Sequence, residues 1–207
     1  MFNSIEKEEK LNQIEEAIKK KDLKKLKFFC KTSGGLYSNK LRKRVWSLLL
    51  DVTLDEELNE NQIKKHNFSD QIDKDVERSM WKFIRNDTEE EAEFKRNQLR
   101  NIMNNVMIDN PDLYYFQGFH DICTIFLVVC GEKIALACVK KLTILHLKDS
   151  MLKPEFDPII QKMERIFELI YQIDPGKNIQ KKKIFFKNFE KNWVNIFKNL
   201  KIIQGIF

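Results

Sequence analysis

Glycine and proline are scarce, six and four in 207 residues. That excludes turn-dense all-β architectures and collagen-like or low-complexity chains, because tight chain reversals draw on those two residues for their backbone geometry. Apolar–polar alternation of period two is hard to find, so half-buried strands have no support. None of the four cysteines (Cys30, Cys123, Cys130, Cys138) forms a CxxC pair. Three of them lie in or beside apolar runs, where a reduced thiol acts as a small hydrophobe, and this usage fits a reducing, cytoplasmic setting. Long hydrophobic runs are missing too. The uncharged stretch Ile122 to Gly131 stops at Glu132, about half of the roughly 20 residues a membrane span requires. Met1 to Lys31 is charged throughout, unlike a signal peptide.

What is present is helical patterning. With 43% apolar and 33% charged residues, the chain can bury one sizeable core, and Leu, Ile, Lys and Glu recur at helical spacing, so the expected class is all-α. The net charge of +6 is concentrated at one end: residues 176–207 hold eight lysines and one glutamate, which more than accounts for it. The body is near neutral, and a nucleic-acid reading would rest on the basic end alone. The organisation expected is a helical extension over 1–30, a domain body over 31–176 and a basic Lys/Asn/Phe/Ile-rich tail over 177–207.

In chain order, Ile5, Leu11, Ile14 and Ile18 form one stripe of a first helix, and Asp22 starts a second carrying Leu23, Leu26, Phe28 and Phe29. Ser33-Gly34-Gly35 ends that unit. Ser38 or Asn39 caps a third helix with Leu41, Val45, Trp46, Leu48 and Leu49 inward. Arg42 and Trp46 share a face, either as a cation held over an indole or as an arginine stem snorkelling beside a core tryptophan. A polar connection over Asp51 to Lys65 follows. From Ser69, a helix with Ile72, Val76, Met80 and Phe83 buried turns Arg78 outward, with Asp75 one turn before it. Thr88 begins a helix running to about Ile108, with Phe94, Leu99, Ile102, Met103 and Val106 inward. Asn110-Pro111-Asp112 breaks it. Glu132 to His146 makes a further amphipathic helix, Pro154 and Pro158 flank a loop, and Ile159 to Ile170 makes one more helix before Asp174-Pro175-Gly176.

One cluster stands out. Tyr114-Tyr115-Phe116-Gln117-Gly118-Phe119-His120-Asp121 sits directly against the most apolar run of the chain. Gly118 marks a backbone turn that a Cβ would obstruct. Gln117, at a loop–helix junction, carries an amide able to donate and accept at once. Taken alone it is either a helix cap or a group that holds a water or a substrate oxygen. An isolated DxxR such as Asp75–Arg78 is likewise either an exposed ion pair or an arginine oriented for use in trans.

Taken together the motifs are more specific. Ile72-Asp73-Lys74-Asp75-Val76-Glu77-Arg78 fits IxxDxxR, Tyr115-Phe116-Gln117-Gly118 fits YxQG, and Arg42 with Trp46 supplies an upstream RxxxW. In this order and spacing the set resembles the TBC-domain GTPase-activating proteins for Rab GTPases, over about residues 20–175. The resemblance implies a multi-helix TBC fold whose C-terminal part is missing or replaced. It further implies an arginine finger at Arg78 and a glutamine finger at Gln117, supported by Asp75, Tyr115, Gly118, Asp121, Arg42 and Trp46. The implied partner is a GTP-bound Rab. No cofactor is expected on this chain, since GTP and Mg2+ belong to the partner. Within the family the similarity is strongest to a branch acting on Rabs of the early secretory pathway. The chain resembles that branch in having His120 in place of the asparagine commoner in other branches, and the resemblance implies the cytosolic face of endoplasmic reticulum or Golgi membranes.

Two other readings compete. A chain lacking the family's last helices could be a non-catalytic Rab-binding module, with apolar faces left uncovered. Alternatively, Lys181 to Lys183, Phe185, Phe186 and Trp193 could make a membrane-surface or nucleic-acid element. A zinc site at His120, Cys123 and His146 is weakly supported, because only His120 and Cys123 have local ligand spacing.

Overall fold

The helix starts read from the sequence carry their caps. In the computed structural model, which describes residues 4–53, 66–81 and 83–152, the Asp22 carboxylate accepts from the Lys25 amide at 3.1 Å and opens α2 (Leu23–Lys31). Ser38 Oγ accepts from the Leu41 amide at 3.2 Å and opens α3 (Asn39–Leu49). Thr88 and Glu91 exchange side-chain and backbone bonds in a capping box that starts α5 (Glu89–Asp109). Each cap satisfies amides that the first turn leaves without helical partners.

The remaining helices are α1 (Ser4–Lys19), α4 (Ser69–Glu77), α6 (Phe119–Cys130), α7 (Glu132–Leu142) and α8 (Lys148–Met151), with a π-helical turn over Thr143–Leu147 between the last two. Among the described residues there is no strand, and none of the helices is long and apolar enough to cross a membrane. The all-α expectation holds.

The apolar run at 122–130 becomes α6, the hub against which α3, α4, α5 and α7 pack. It can take that place because apolar side chains surround it on nearly every face. Phe119 and Phe126 are fully buried, and the Phe126 ring lies 5.2 Å from that of Trp46 on α3. Burying a side chain of this size contributes about 1.5–3 kcal/mol. Polar ties fix the neighbours around the hub. Arg44 grips Glu15 through two bonds of 2.6 and 2.9 Å, joining α3 to α1. Arg100 Nε donates to Asp73 at 2.9 Å, joining α5 to α4. Gln98 and Asn101 both donate to Glu132 at 3.0 Å, anchoring the start of α7 on α5.

Several expectations are corrected. The helix opening at Ser69 does not reach Phe83: it ends at Glu77 with Arg78 as its C-cap, and Met80 adopts a positive φ of 61°. Met80 is still buried, but Phe83 is 45% exposed and Ile84 takes the inward place. Phe94 is exposed because it sits five residues before Leu99, about 140° away on the wheel, so it follows hydrophobicity but not phase. Ile5, Leu23 and Phe28 also face outward, whereas Ile14, Leu26 and Phe29 are buried. The helix expected over 132–146 is α7 followed by the wider turn, which carries His146. Most of the 51–65 connection, the Pro154–Pro158 loop, the helix over 159–170 and the tail over 177–207 lie outside the described residues.

Candidate functional site

Asp75, on the last turn of α4, is a carboxylate with a side chain only 2% exposed. A buried carboxylate needs donors, and it has them. Arg78 Nη2 donates to Oδ1 at 2.8 Å, and the Tyr115 hydroxyl donates to Oδ2 at 2.6 Å. Gln71 Nε2 adds a longer contact to Oδ1 at 3.4 Å. The DxxR pair is therefore not the solvated i,i+3 pair that such spacing usually gives: one partner is buried and the other, Arg78, is 68% exposed.

Arg78 is oriented at two points. Nε donates to the Lys74 carbonyl at 3.0 Å while Nη2 holds Asp75, and among the described residues Nη1 makes no hydrogen bond. A C-cap cation also complements the negative end of the α4 dipole. The result is a permanently charged, planar group held at its base and presented to solvent.

Tyr115 belongs to the loop that leads into α6. The Tyr114 amide donates to the Met151 carbonyl at 2.7 Å, tying the loop to α8. Phe116 is buried against Phe119 with ring centroids 5.7 Å apart, and the Tyr115 ring meets Phe119 edge-on at 6.4 Å. Phe68, at the start of α4, lies 6.0 Å from Tyr114 and 6.5 Å from Tyr115. Burial and the neighbouring Asp75 carboxylate push the Tyr115 phenol far above its ordinary range, so it remains a donor at any physiological pH.

Gln117 is exposed and precedes Gly118, the α6 N-cap, whose φ of 106° is a backbone state that glycine adopts without penalty. The expected turn is present. The N-cap position falls on Gly118, so Gln117 stands just outside the helix. Asp121 follows in the first turn of α6, where a carboxylate complements the positive end of the helix dipole.

The structure thus brings Arg78, Asp75, Tyr115, Gly118 and Asp121 into one neighbourhood and sets Gln117 two residues from the Tyr115 anchor. Arg42 and Trp46 stand elsewhere. They line a half-open groove of about 770 Å³ whose other walls include Phe83, Ile125 and Val128, but none of the residues around Asp75. Arg42 Nη1 donates to Asn39 at 2.9 Å, and the cation–π contacts found among the described residues are those of Lys7 and Lys10 over Tyr37.

Two participants lie outside the candidate site residues read from the sequence. Phe68 packs the loop from the α4 side. His120, the second residue of α6, sits 3.8 Å from Asp75 Oδ2 and 3.6 Å from Asp121 Oδ2. Its place three residues after Gln117, in the cluster at 114–121, was the available signal. His120 and Cys123 lie in α6 and His146 in the turn after α7, and no group of three His, Cys, Asp or Glu among the described residues is arranged to share a cation.

Comparison with known proteins places these positions in a wider context. Residues 39–197 match the Rab-GTPase-TBC domain profile, a span that runs past the change of composition at 176. The chain is 32% identical over 181 residues to TBC1 domain family member 20 of Homo sapiens, covering 84% of this chain and 44% of that protein. It is 28% identical over 168 residues to the GTPase-activating protein gyp10 of Schizosaccharomyces pombe, covering 79% and 44% respectively. The GTPase-activating protein GYP8 of Saccharomyces cerevisiae is 26% identical over 203 residues, covering 96% and 37%. The chain spans less than half the length of the curated relatives it matches.

Proposed function

The chain belongs to the Rab-GTPase-TBC domain family, and on that premise we propose that it accelerates GTP hydrolysis by a Rab-type GTPase, supplying Arg78 and Gln117 in trans. The observation that carries this reading is the buried Asp75. One of its oxygens holds the exposed Arg78 and the other holds Tyr115, the anchor of the Gln117 loop. A single carboxylate therefore registers the two finger-bearing segments against each other.

The chemistry suits those residue types. As water attacks the γ-phosphorus in line, negative charge builds on the phosphoryl oxygens and on the β–γ bridge, so catalysis is positioning and electrostatics. A guanidinium held at Nε and Nη2 can present its remaining N–H groups to those oxygens without losing its charge. The Gln117 amide can accept from the attacking water and donate to an oxygen while taking no proton itself. Asp75 and Tyr115 touch no substrate: they position. The nucleotide and its Mg2+ would be the partner's. Two of the relatives, gyp10 and GYP8, are named as GTPase-activating proteins, which supports the reading.

The test is phosphate release from a panel of GTP-loaded Rabs, including those of the early secretory pathway, mixed with the whole chain. Stimulation that disappears in Arg78→Ala and Gln117→Ala is the expected result. No stimulation of any panel member sinks the proposal, and so does stimulation that survives both substitutions. Stimulation confined to early secretory Rabs would also support the proposed site of action at the cytosolic face of endoplasmic reticulum or Golgi membranes.

A further inference from the structure

The groove at Arg42 and Trp46 lies outside both motifs, yet each finger-bearing segment supplies one of its walls. Phe83 comes from the turn that follows Arg78, which is closed by bonds from the Phe83 and Ile84 amides to the Met80 carbonyl at 2.7 and 3.1 Å. Phe83 is five residues beyond Arg78, so their Cα atoms are at most about 18 Å apart. Ile125 and Val128 come from α6, the helix that the Gln117 loop leads into. They fall four and seven residues after Asp121 and on the same helical face. At the helical rise, that face runs from the finger loop into the groove within about 10 Å.

We infer that this groove is a docking subsite for the same Rab-type GTPase, receiving an apolar side chain that the GTPase carries beside a carboxylate. The inference rests on the proposed use of Arg78 and Gln117 in trans. Three observations select this occupant. The first is position: a standard interface covers about 800 Å² on each partner, a patch roughly 30 Å across, so a GTPase seated on both fingers reaches the groove. The second is exposed apolar surface. Phe83 and Val128 are 45% and 39% exposed on the groove walls, and Trp81, on the same turn as Phe83, is 64% exposed. Large side chains left wet around a concavity are the setting in which a partner's apolar anchor is buried. The third is charge. Lys31 and Arg42 line the groove, and no carboxylate does among the described residues. Asn39 accepts from Arg42 Nη1, and among the described residues the other guanidinium N–H groups make no hydrogen bond, which suits them to a carboxylate.

The consequence is a division of labour. Contacts in the groove are remote from the phosphates and form equally in the ground and transition states, so they set which GTPase is engaged and how tightly. The rate once the complex has formed belongs to the fingers.

The test is stimulated hydrolysis in single turnover by a responsive Rab, at rising concentrations of the whole chain. Val128→Glu and Phe83→Ser put polar groups on the groove walls at side chains exposed enough to change without opening the core, and circular dichroism checks that both variants fold. Each is expected to raise the half-saturating concentration about 10-fold while the rate at saturation stays within about twofold of wild type. Arg42→Gln should also raise it and flatten its dependence on salt. An unchanged half-saturating concentration in the folded Val128→Glu and Phe83→Ser proteins overturns the inference. So does a wild-type dimer in analytical ultracentrifugation that Val128→Glu dissolves, since the groove then belongs to a second copy of the chain. If the wild type stimulates no Rab, the proposed activity fails, and binding of Rabs loaded with a non-hydrolysable GTP analogue decides the groove. Weaker binding to Val128→Glu than to wild type upholds it, and equal or absent binding overturns it.

Discussion

The Tyr115 hydroxyl donates to Asp75 Oδ2 across 2.6 Å, joining residues 40 apart in sequence. The bond connects the last turn of α4 to the loop before α6, and it saturates one oxygen of a carboxylate that water barely reaches. Each of the two sequence motifs supplies one partner.

Removing the hydroxyl therefore has two readouts. Tyr115→Phe leaves a buried acceptor short of a donor, at a cost of about 1–3 kcal/mol, read as a lowered midpoint in urea unfolding. Because the same bond holds the Gln117 loop, stimulated GTP hydrolysis should fall further than the lost folded fraction explains, measured under conditions where the variant remains more than nine-tenths folded.

Arg78 carries the larger catalytic effect. Arginine fingers in Ras-type systems contribute about 10³ to 10⁵ in rate, so Arg78→Ala should remove essentially all stimulation. Arg78→Lys should recover little of it, because an ammonium cannot hold Asp75 and also present a planar fork. Thermal stability should fall as well in Arg78→Ala, because the buried Asp75 carboxylate loses its counter-charge, so stimulation is compared where the variant remains folded. Pre-steady-state phosphate release with a GTP-loaded Rab in single turnover separates these effects.

A core substitution calibrates the scaffold. Phe126 is fully buried at the hub and packs on Trp46. Phe126→Ala should cost about 3–5 kcal/mol and Phe126→Leu distinctly less, because the cavity left is smaller. Chemical denaturation of both variants gives the comparison directly.

Acid should weaken the joint between α1 and α3. Hydrogen bonds from Arg44 hold the Glu15 carboxyl below its ordinary value of 4.5. A carboxyl whose folded pKa is depressed contributes stability that is present above the ordinary value and lost as pH falls through the depressed one. Both side chains are about a third or more exposed, so the contribution is under about 1 kcal/mol. Wild type and Glu15→Gln should differ in unfolding free energy at pH 7 and converge as the pH drops below 4.5.

Much of the fold was legible because its signals are local. Asp22, Ser38 and Thr88 cap helices where a short side chain meets a run of helical periodicity, and only neighbouring residues are involved. The apolar run around Phe126 was readable as core because no exposed helix retains so many large apolar side chains in succession. Legibility failed where phase or chain direction overrode residue type. Phe94 is apolar but lies on the wrong side of α5, and Phe83 leaves the α4 stripe because the backbone reverses at Met80. The groove at Arg42 and Trp46 belongs with neither finger motif, a separation that spacing along the chain does not reveal.

By itself the sequence determined the all-helical class, the caps, the residues of the central helix and the two motifs with Arg78 and Gln117 in them. Each is set by side-chain chemistry within a few positions of the chain. Tertiary structure alone decided that Asp75 is buried, that Tyr115 reaches it and that His120 stands between two carboxylates. Those relations depend on α6 packing against α4, which brings residues about 40 positions apart within hydrogen-bonding reach and shields the carboxylate between them from water.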